Sequence, residues 1–247
     1  MEHAYDHIGS DYAKSRRSDP RLAARILEAL GGADRVINVG AGAGSYEPGD
    51  RFVVAAEPSM MMLRQRSPGA APAVRACAEA LPFRDGAFAA ALAVLTVHHW
   101  RDWRVGLREA IRVSRGQVVL LTWDPESAGF WLVHDYVPHV LEADRRRFPS
   151  LDALQGELAD SQVLPVRIPH DCADGFMGAF WRRPAAYLDP QVRGAISSLA
   201  DGSSEAALGR LADDLASGAW AEKYGELLGV DELDLGYRLV IGRGKRG

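Results

Sequence analysis

The stretch RVINVGAGAGS, residues 35–45, decides the fold of this chain. Its first five residues are mostly apolar and β-branched, which is typical of a buried strand. Three glycines, Gly40, Gly42 and Gly44, follow directly. Glycine lets the backbone approach a ligand closely and present its N–H groups to it. The glycines alone are a weak signal, because a tight turn at the exit of a strand can have the same composition.

The following strand distinguishes a binding loop from a simple turn. The apolar run Phe52–Ala56 predicts a second strand, and Glu57 stands at its end. A carboxylate at the C-terminal end of the second strand can accept hydrogen bonds from both hydroxyls of a ribose. The glycine loop and this acidic residue together predict a cofactor that contains a nucleoside.

The connection between these two strands argues against a dinucleotide. A dinucleotide site needs a third glycine that opens a helix, whose N-terminus binds the pyrophosphate. That position is Ser45 here, and Pro48 and Gly49 would break any helix before Arg51. A cofactor without phosphates, such as S-adenosylmethionine, therefore fits the sequence better than NAD, although an NAD-linked oxidoreductase stays open as a rival.

The remaining pattern predicts an α/β fold of one domain. Apolar runs predict strands at 35–39, 52–56, 73–76, 88–95, 118–122, 163–168 and 237–241. Helical spacing of apolar residues predicts helices at about 20–30, 103–111 and 151–158. Near-continuous apolar strands that alternate with helices indicate a mainly parallel sheet with helices on both faces. We expect a core of residues 20–124, 149–169 and 233–247, and a helical cap of residues 125–148 and 170–232 over the C-terminal ends of the strands.

Composition narrows the functional class. The chain has 247 residues, 47% of them hydrophobic and 25% charged, with a formal net charge of −4. These values are typical of a globular protein and give no electrostatic footprint for nucleic acid or for a membrane surface. The two cysteines have no metal-ligand or disulfide spacing, and the first residues do not have the pattern of a signal peptide. We expect a cytoplasmic protein without a metal, a monomer or homodimer, that acts on a small molecule.

Four blocks, in order, resemble class I S-adenosylmethionine-dependent methyltransferases of the type 11-like group, which includes many bacterial small-molecule enzymes. These blocks are 36–44, 53–59, 78–85 and 88–100. The resemblance implies a Rossmann-like seven-stranded sheet in the order 3-2-1-4-5-7-6, with strand 7 antiparallel. It implies S-adenosylmethionine as the methyl donor, with S-adenosylhomocysteine as its product.

The resemblance also implies a set of cofactor-binding residues. They are Tyr12, Arg16, Gly40, Ala41, Gly42, Gly44, Glu57, Pro58, Ala78, Glu79, Leu95 and Thr96. Glu57 would bind the ribose, and Arg16 with loop N–H groups would bind the methionine carboxylate. The family usually has an aspartate for the adenine amino group where this chain has Cys77. The adenine would then use the backbone of Ala78, or Cys77 is simply a small buried residue.

The acceptor site and the chemistry are less constrained. His98 and His99 follow the fourth strand, whose end faces the sulfonium in the family. Adjacent residues of an extended segment point to opposite sides, so at most one would face the methyl group, and we favour His98 as a general base. Both histidines being structural is the alternative. The segment lacks the Asn/Asp-Pro-Pro-aromatic motif of nucleic-acid amino methyltransferases, which favours a small molecule with an O, N or C nucleophile.

Aromatic residues of the cap are candidates for the substrate wall. They are Trp131, His134, Tyr136 and Trp181. The alternative is that they form the core of the cap. A protein that binds S-adenosylmethionine for a regulatory purpose or a reaction other than methyl transfer also stays open.

Overall fold

The computed structural model describes residues 16–245. Its main feature is a seven-stranded sheet in the order β3-β2-β1-β4-β5-β9-β6. The strands are β1 Arg35–Val39, β2 Phe52–Ala56, β3 Ala73–Val74, β4 Phe88–Val94, β5 Ser114–Trp123, β6 Leu158–Pro165 and β9 Tyr237–Gly244. A separate pair consists of β7 Ile168–Pro169 and β8 Glu232–Leu233.

The predicted sheet order and strand directions are confirmed. Strands β3, β2, β1, β4 and β5 pair in parallel, and β9 is antiparallel to both β5 and β6. The predicted seventh strand is therefore β9. The sixth strand begins at Leu158, earlier than predicted. Its alternating burial marks a half-exposed edge strand, and its polar residues hid it from a search for continuous apolar runs.

Helices cover both faces of the sheet, as predicted. The α-helices of the described residues are α1 Pro20–Leu30, α2 Met60–Arg64, α3 Trp103–Val113, α4 Pro138–Arg147, α5 Leu151–Glu157, α6 Pro190–Gly194, α7 Glu205–Ser217 and α8 Ala219–Tyr224. Helix α1 begins at Pro20, where the Asp19 side chain accepts from Arg21 N, and ends before Gly31, whose φ is +55°. The start and stop of this helix follow directly from its sequence.

The apolar strands are buried on both faces. Along β5, Val119 and Leu121 pack on the side of α1 and the cap, whereas Val118 and Leu120 pack on the side of α3 and α5. This two-sided burial explains why the strands lack the polar alternation of a half-exposed sheet. None of the described helices has the length and apolarity required to cross a membrane.

The link between β1 and β2 is an ordered loop. Residues 40–51, all of which the structure describes, form turns and contain no helix, as predicted. A buried ion pair supports the loop from outside, since Arg66 Nη2 lies 2.8 Å from Glu47 Oε1. The same guanidinium donates to the carbonyl oxygens of Gly42 and Ala71. Arg66 thus holds this loop in place, although the loop contains no helix.

Residues 125–148 and 170–232, the two segments predicted to form the cap and called the cap below, contain the π-helical turn Leu132–Tyr136 and helices α4, α6, α7 and α8. The cap contacts the C-terminal end of β5, where the rings of Trp123 and Phe148 meet edge to face with their centroids 5.6 Å apart. It also contacts the loop after β1, where Tyr46 Oη donates to Asp174 Oδ2 at 2.9 Å. The cap therefore lies over the strand ends at which ligands of open α/β sheets bind.

Candidate active site

A cleft of about 560 Å³ opens at the C-terminal ends of β1, β2 and β4. Among the predicted cofactor residues, those that line it are Arg16, Gly40, Ala41, Gly42, Glu57, Pro58, Ala78, Glu79, Leu95 and Thr96. Gly44 is not part of the lining; a side chain there would approach Arg66 and Glu47 instead. Tyr12 lies outside the described residues. The structure thus brings ten of the predicted positions around one cleft, while their contacts with a cofactor stay a prediction.

The glycine loop leaves no room for a side chain at its first position. Gly40 has a φ of +70°, and a Cβ there would lie 2.1 Å from Thr96 Oγ1. Gly42 also has a positive φ, +53°, but a Cβ there would have no atom within 4 Å. Gly40 therefore allows the loop to approach the end of β4, whereas Gly42 leaves space open on the cleft side.

We expect Gly40→Ala to destabilise the fold by about 2–4 kcal/mol, since it adds an overpacked methyl group to a left-handed backbone. Gly42→Ala is the matched control, because it carries the backbone cost of about 1–2 kcal/mol without the clash. Urea unfolding of the two variants without cofactor measures the difference. Equal midpoints would show that contact with Thr96 does not constrain position 40.

Glu57 is held in place by the loop that it faces. Its Oε2 accepts from Gly42 N at 2.8 Å and its Oε1 accepts from Ser59 N at 2.9 Å. The residue is only 4% exposed, yet it lines the cleft. A carboxylate has about four lone-pair positions, so these bonds leave acceptor capacity for a ligand.

Asn38 is a cleft residue that the sequence reasoning missed. Its Nδ2 donates to Glu47 Oε1 at 3.4 Å, and its buried Oδ1 has no hydrogen-bond partner among the described residues. Buried polar atoms normally have partners, so an orphan in the wall of a cleft is consistent with a polar ligand there. The sequence signal that could have identified Asn38 was a polar residue near the end of the apolar strand β1, just before the glycines.

The region predicted to flank adenine also lines the cleft, through Cys77, Ala78, Glu79 and Ala80. The Cys77 side chain is free and exposed, so the alternative that it is a small buried residue is wrong. Glu79 is engaged, because its Oε1 accepts from Asp102 N at 3.1 Å. Ala78 lines the cleft, and an adenine contact with its backbone stays a prediction.

Arg16 joins the cleft to the cap. Its Nε donates to Asp174 Oδ1 at 2.8 Å, and the Asp174 side chain is fully buried. Tyr46 donates to the other oxygen of Asp174 and accepts from Asp19 N. Because Asp174 balances part of its charge, a role for Arg16 toward the methionine carboxylate stays a prediction.

A second cavity of about 60 Å³ lies under the cap beside the cleft. Arg16, Leu95 and His99 line both cavities, so the two are neighbours with shared walls. Leu95 has a φ of +50°, which is rare for a bulky residue and costs about 1–2 kcal/mol. Such strain is typical of functional sites, and here it is stored where β4 ends between the two cavities.

His98 and His99 lie on one turn, so the expectation that they point to opposite sides is wrong. Val97–His99 is a 3₁₀ turn instead of an extended segment, and the imidazole rings lie 3.9 Å apart. His98 lines the second cavity and stacks on Phe148 with a centroid distance of 3.9 Å. Its buried Nδ1 has no hydrogen-bond partner among the described residues.

Both imidazoles are neutral at physiological pH. Burial, followed by His99 and then by Arg147 and Arg16, holds the pKa of His98 well below its usual value. Burial, followed by the same two arginines, lowers the pKa of His99 to about 3. Each imidazole therefore has one nitrogen that can accept a proton or a hydrogen bond.

Asp144 in α4 is a second residue that the sequence reasoning missed. It lines the second cavity, and its side chain is 2% exposed. Burial raises the pKa of its carboxyl to about 6, although Arg147 and a hydrogen bond from Ser198 act in the opposite direction. Its signal was hidden by the arginines at 145–147, which favour the interpretation of a solvated helix face.

We expect Asp144→Asn to raise stability at pH 7 by about 1–3 kcal/mol, from the pKa difference between the folded and unfolded states. Because the folded pKa is the higher one, the folded protein holds a proton between about pH 4 and 6 that the unfolded chain has released. The stability of the wild type should therefore fall as the pH rises through this window, and that of the variant should not. Urea unfolding from pH 4 to 8 measures this, with the exposed Asp213→Asn as control. Parallel curves for wild type and Asp144→Asn would contradict the expectation.

The four residues predicted to contact the substrate do not line either cavity. Trp131 and Trp181 are buried in the cap, where Trp131 Nε1 donates to Trp181 O and Trp181 Nε1 donates to Ile168 O. Tyr136 donates to Asp214 at 2.7 Å, and His134 is exposed. These two residues line a separate open cavity on the outside of the cap. Trp131, Tyr136 and Trp181 are buried, which agrees with the alternative that the aromatic residues form the core of the cap.

Comparisons with known proteins agree with this geometry. Residues 37–122 match the model of the methyltransferase domain family. A crystal structure from Anabaena variabilis, of a protein assigned to methyl transfer in an antibiotic biosynthesis pathway, is similar over the whole fold. It is 34% identical with a TM-score of 0.84, covering 92% of this chain and 98% of that chain. The YcgJ protein from Bacillus subtilis is 19% identical with a TM-score of 0.56, covering 92% and 100%, and shows the fold alone.

Among curated protein sequences, none matches this chain significantly. The family rests on the domain match together with the relative from Anabaena variabilis, which exceeds 30% identity over nearly the full length of both chains. The glycine loop, the acidic end of β2 and the sheet order are the features of this chain that agree with that relationship. The chain belongs to the S-adenosylmethionine-dependent methyltransferases.

Proposed function

We propose that this enzyme binds S-adenosylmethionine in the cleft of about 560 Å³ and methylates a small molecule that occupies the neighbouring cavity under the cap. The observation that carries the proposal is the shared wall of the two cavities, formed by Arg16, Leu95 and His99. A donor in one cavity and an acceptor in the other would meet at this wall. The name of the relative from Anabaena variabilis supports an intermediate of antibiotic biosynthesis as the acceptor.

The cleft residues fit this cofactor. Glu57 would accept hydrogen bonds from the ribose hydroxyls, and the open side of Gly42 would admit the cofactor close to the backbone. The unpartnered Asn38 Oδ1 offers a further acceptor. When bound, S-adenosylmethionine supplies an electrophilic methyl group on a positively charged sulfur.

The remaining chemistry is alignment, exclusion of water and removal of a proton. Aromatic rings of the cap such as Phe148 and Phe176 line the second cavity, and with an acceptor bound they would keep water from the reacting atoms. His98 is neutral and has an unpartnered Nδ1, so it can accept the proton of the acceptor. A positively charged sulfur nearby would further disfavour its protonation.

Two measurements test the proposal. Calorimetry with S-adenosylmethionine, S-adenosylhomocysteine and NAD should show binding of the first two and none of NAD. Incubation with a bacterial metabolite extract and trideuteromethyl-labelled S-adenosylmethionine should then give a product with the labelled methyl group, detected by mass spectrometry. Binding without any labelled product would instead favour a regulatory role or a reaction other than methyl transfer.

A further inference from the structure

We propose that the acceptor is a small amine and that Asp144 holds its cationic nitrogen inside the aromatic cavity under the cap. This inference rests on the proposed function and adds the chemical class of the substrate.

The Asp144 carboxylate is buried, and the protein compensates its charge and its hydrogen-bonding capacity only in part. Its side chain is 2% exposed, and the nearest cation, Arg147 Nη1, is 3.8 Å from Oδ1. That distance is too long for a hydrogen bond, and the Arg147 side chain is 45% exposed, so solvent screens it. Ser198 supplies one hydrogen bond. The carboxylate keeps acceptor capacity toward the cavity, and a buried carboxylate is stabilised best by a cation.

The walls next to Asp144 also suit a cation. Trp123, Phe148, Phe176 and Tyr237 line the same cavity. The rings of Trp123 and Phe148 meet edge to face at 5.6 Å, and those of Phe176 and Tyr237 lie 4.8 Å apart. Aromatic faces attract ammonium groups, and the attraction is strongest where water is excluded. A carboxylate among aromatic rings is therefore a recognition site for an amine more than for a neutral alcohol.

The other charged groups of the wall do not cancel the charge of Asp144. Arg16 is already paired with the buried Asp174. His98 and His99 are neutral. Among the described lining residues, Asp144 therefore provides the charge that selects the ligand, and an acceptor with a carboxylate of its own would be repelled.

The cavity admits only one end of an acceptor. Its volume of about 60 Å³ corresponds to roughly two water molecules at about 30 Å³ each. A primary or secondary amino group with its first carbon fits that space. The remainder of the acceptor would extend toward the shared wall with the cleft or displace part of the cap.

In the proposed step the ammonium group of the acceptor loses one proton, which passes by way of His98 to water, and its nitrogen becomes neutral before the methyl group is transferred. The nitrogen lone pair forms a bond to the methyl carbon, and the electrons of the carbon–sulfur bond pass to sulfur. The products are the methylated ammonium ion and the neutral thioether S-adenosylhomocysteine, and His98 is neutral at the start and at the end of the step. Repulsion from the sulfonium favours loss of the proton before transfer.

The experiment compares ligands that share one carbon skeleton: benzylamine, benzyl alcohol and benzoate. Their affinities are measured by calorimetry with the enzyme saturated with S-adenosylhomocysteine. We expect benzylamine to bind at least tenfold more tightly than the other two. Asp144→Asn should remove this preference, whereas Asp213→Asn, the same charge change on the exposed surface of the cap, should keep it.

The controls separate this inference from the proposed function. Affinity for S-adenosylhomocysteine and the thermal midpoint show whether each variant is folded, and Asp144→Asn should not lower either. Failure of S-adenosylhomocysteine to bind wild type would overturn the proposed function. If it binds and the alcohol binds as tightly as the amine, or no ligand binds, the amine assignment is overturned. Fragment spectra of the labelled product give a second readout: a label on nitrogen supports the assignment, and a label on oxygen or carbon overturns it.

Discussion

Replacing His98 by asparagine is expected to lower the turnover number about 10²-fold or more, which is the usual range for a general base. Asparagine keeps a polar side chain of similar size but cannot accept a proton. The basis for the expectation is the place of His98 in the second cavity, with a buried Nδ1 that has no partner among the described residues. Label transfer into the product identified by mass spectrometry measures turnover, and calorimetry measures cofactor affinity.

The pH dependence distinguishes this role from one that requires an ionised histidine. Because burial keeps the pKa of His98 well below its usual value, the imidazole is neutral across the physiological range. Loss of turnover in His98→Asn should therefore be the same at every pH from about 6.5 to 9. The exposed His134→Asn serves as control and should turn over normally. Normal turnover of His98→Asn, or a loss that follows a lower thermal midpoint, would show that His98 is structural.

Replacing Glu57 by alanine is expected to weaken cofactor binding by about tenfold to a hundredfold. Hydrogen bonds to a charged carboxylate contribute about 1.5–3 kcal/mol, and tenfold in affinity corresponds to about 1.4 kcal/mol. The substitution also removes the acceptors of Gly42 N and Ser59 N, so the glycine loop loses the group that orients it. Calorimetry with S-adenosylhomocysteine measures the effect.

Two further variants make this result specific. Glu57→Gln keeps one carbonyl acceptor and should fall between wild type and Glu57→Ala. Glu28→Ala removes an exposed carboxylate from α1 and should bind as wild type does. Unchanged affinity in Glu57→Ala would mean that the ribose does not bind at the end of β2.

The predictions that held depend on local rules or on a pattern of residues along the chain. Helix α1 was predicted to its ends because Asp19, Pro20 and Gly31 act within their own turns. The loop after β1 was predicted from Pro48 and Gly49, which prevent a helix wherever the rest of the chain lies. Sheet order came from the resemblance carried by the four blocks, and the structure confirmed it.

The placement of the cap aromatics and the backbone of the two histidines have no local signal in the sequence. The sequence marked the aromatic residues of the cap, but it could not show which rings face each other and which face a cavity. Trp131 and Trp181 are 50 residues apart in the sequence, and the Nε1 of Trp131 donates to the carbonyl oxygen of Trp181 in the cap core. The backbone of the two histidines was also misjudged, because nothing in the sequence marks the left-handed backbone of Leu95 or the 3₁₀ turn Val97–His99 that follows it.

The sequence by itself determined the parallel sheet, the glycine loop at the end of β1 and the acidic residue at the end of β2, because apolar periodicity and backbone restrictions act over a few residues. Only the tertiary structure decided which groups enclose the acceptor. Asp144 and His98 are 46 positions apart in the sequence, and they line one cavity together with Phe176 and Tyr237 from later segments. Burial, which is set by the whole fold, then raises the pKa of the Asp144 carboxyl and lowers that of the His98 imidazole. The same residue types on the surface would have neither property, because water would solvate their charged forms.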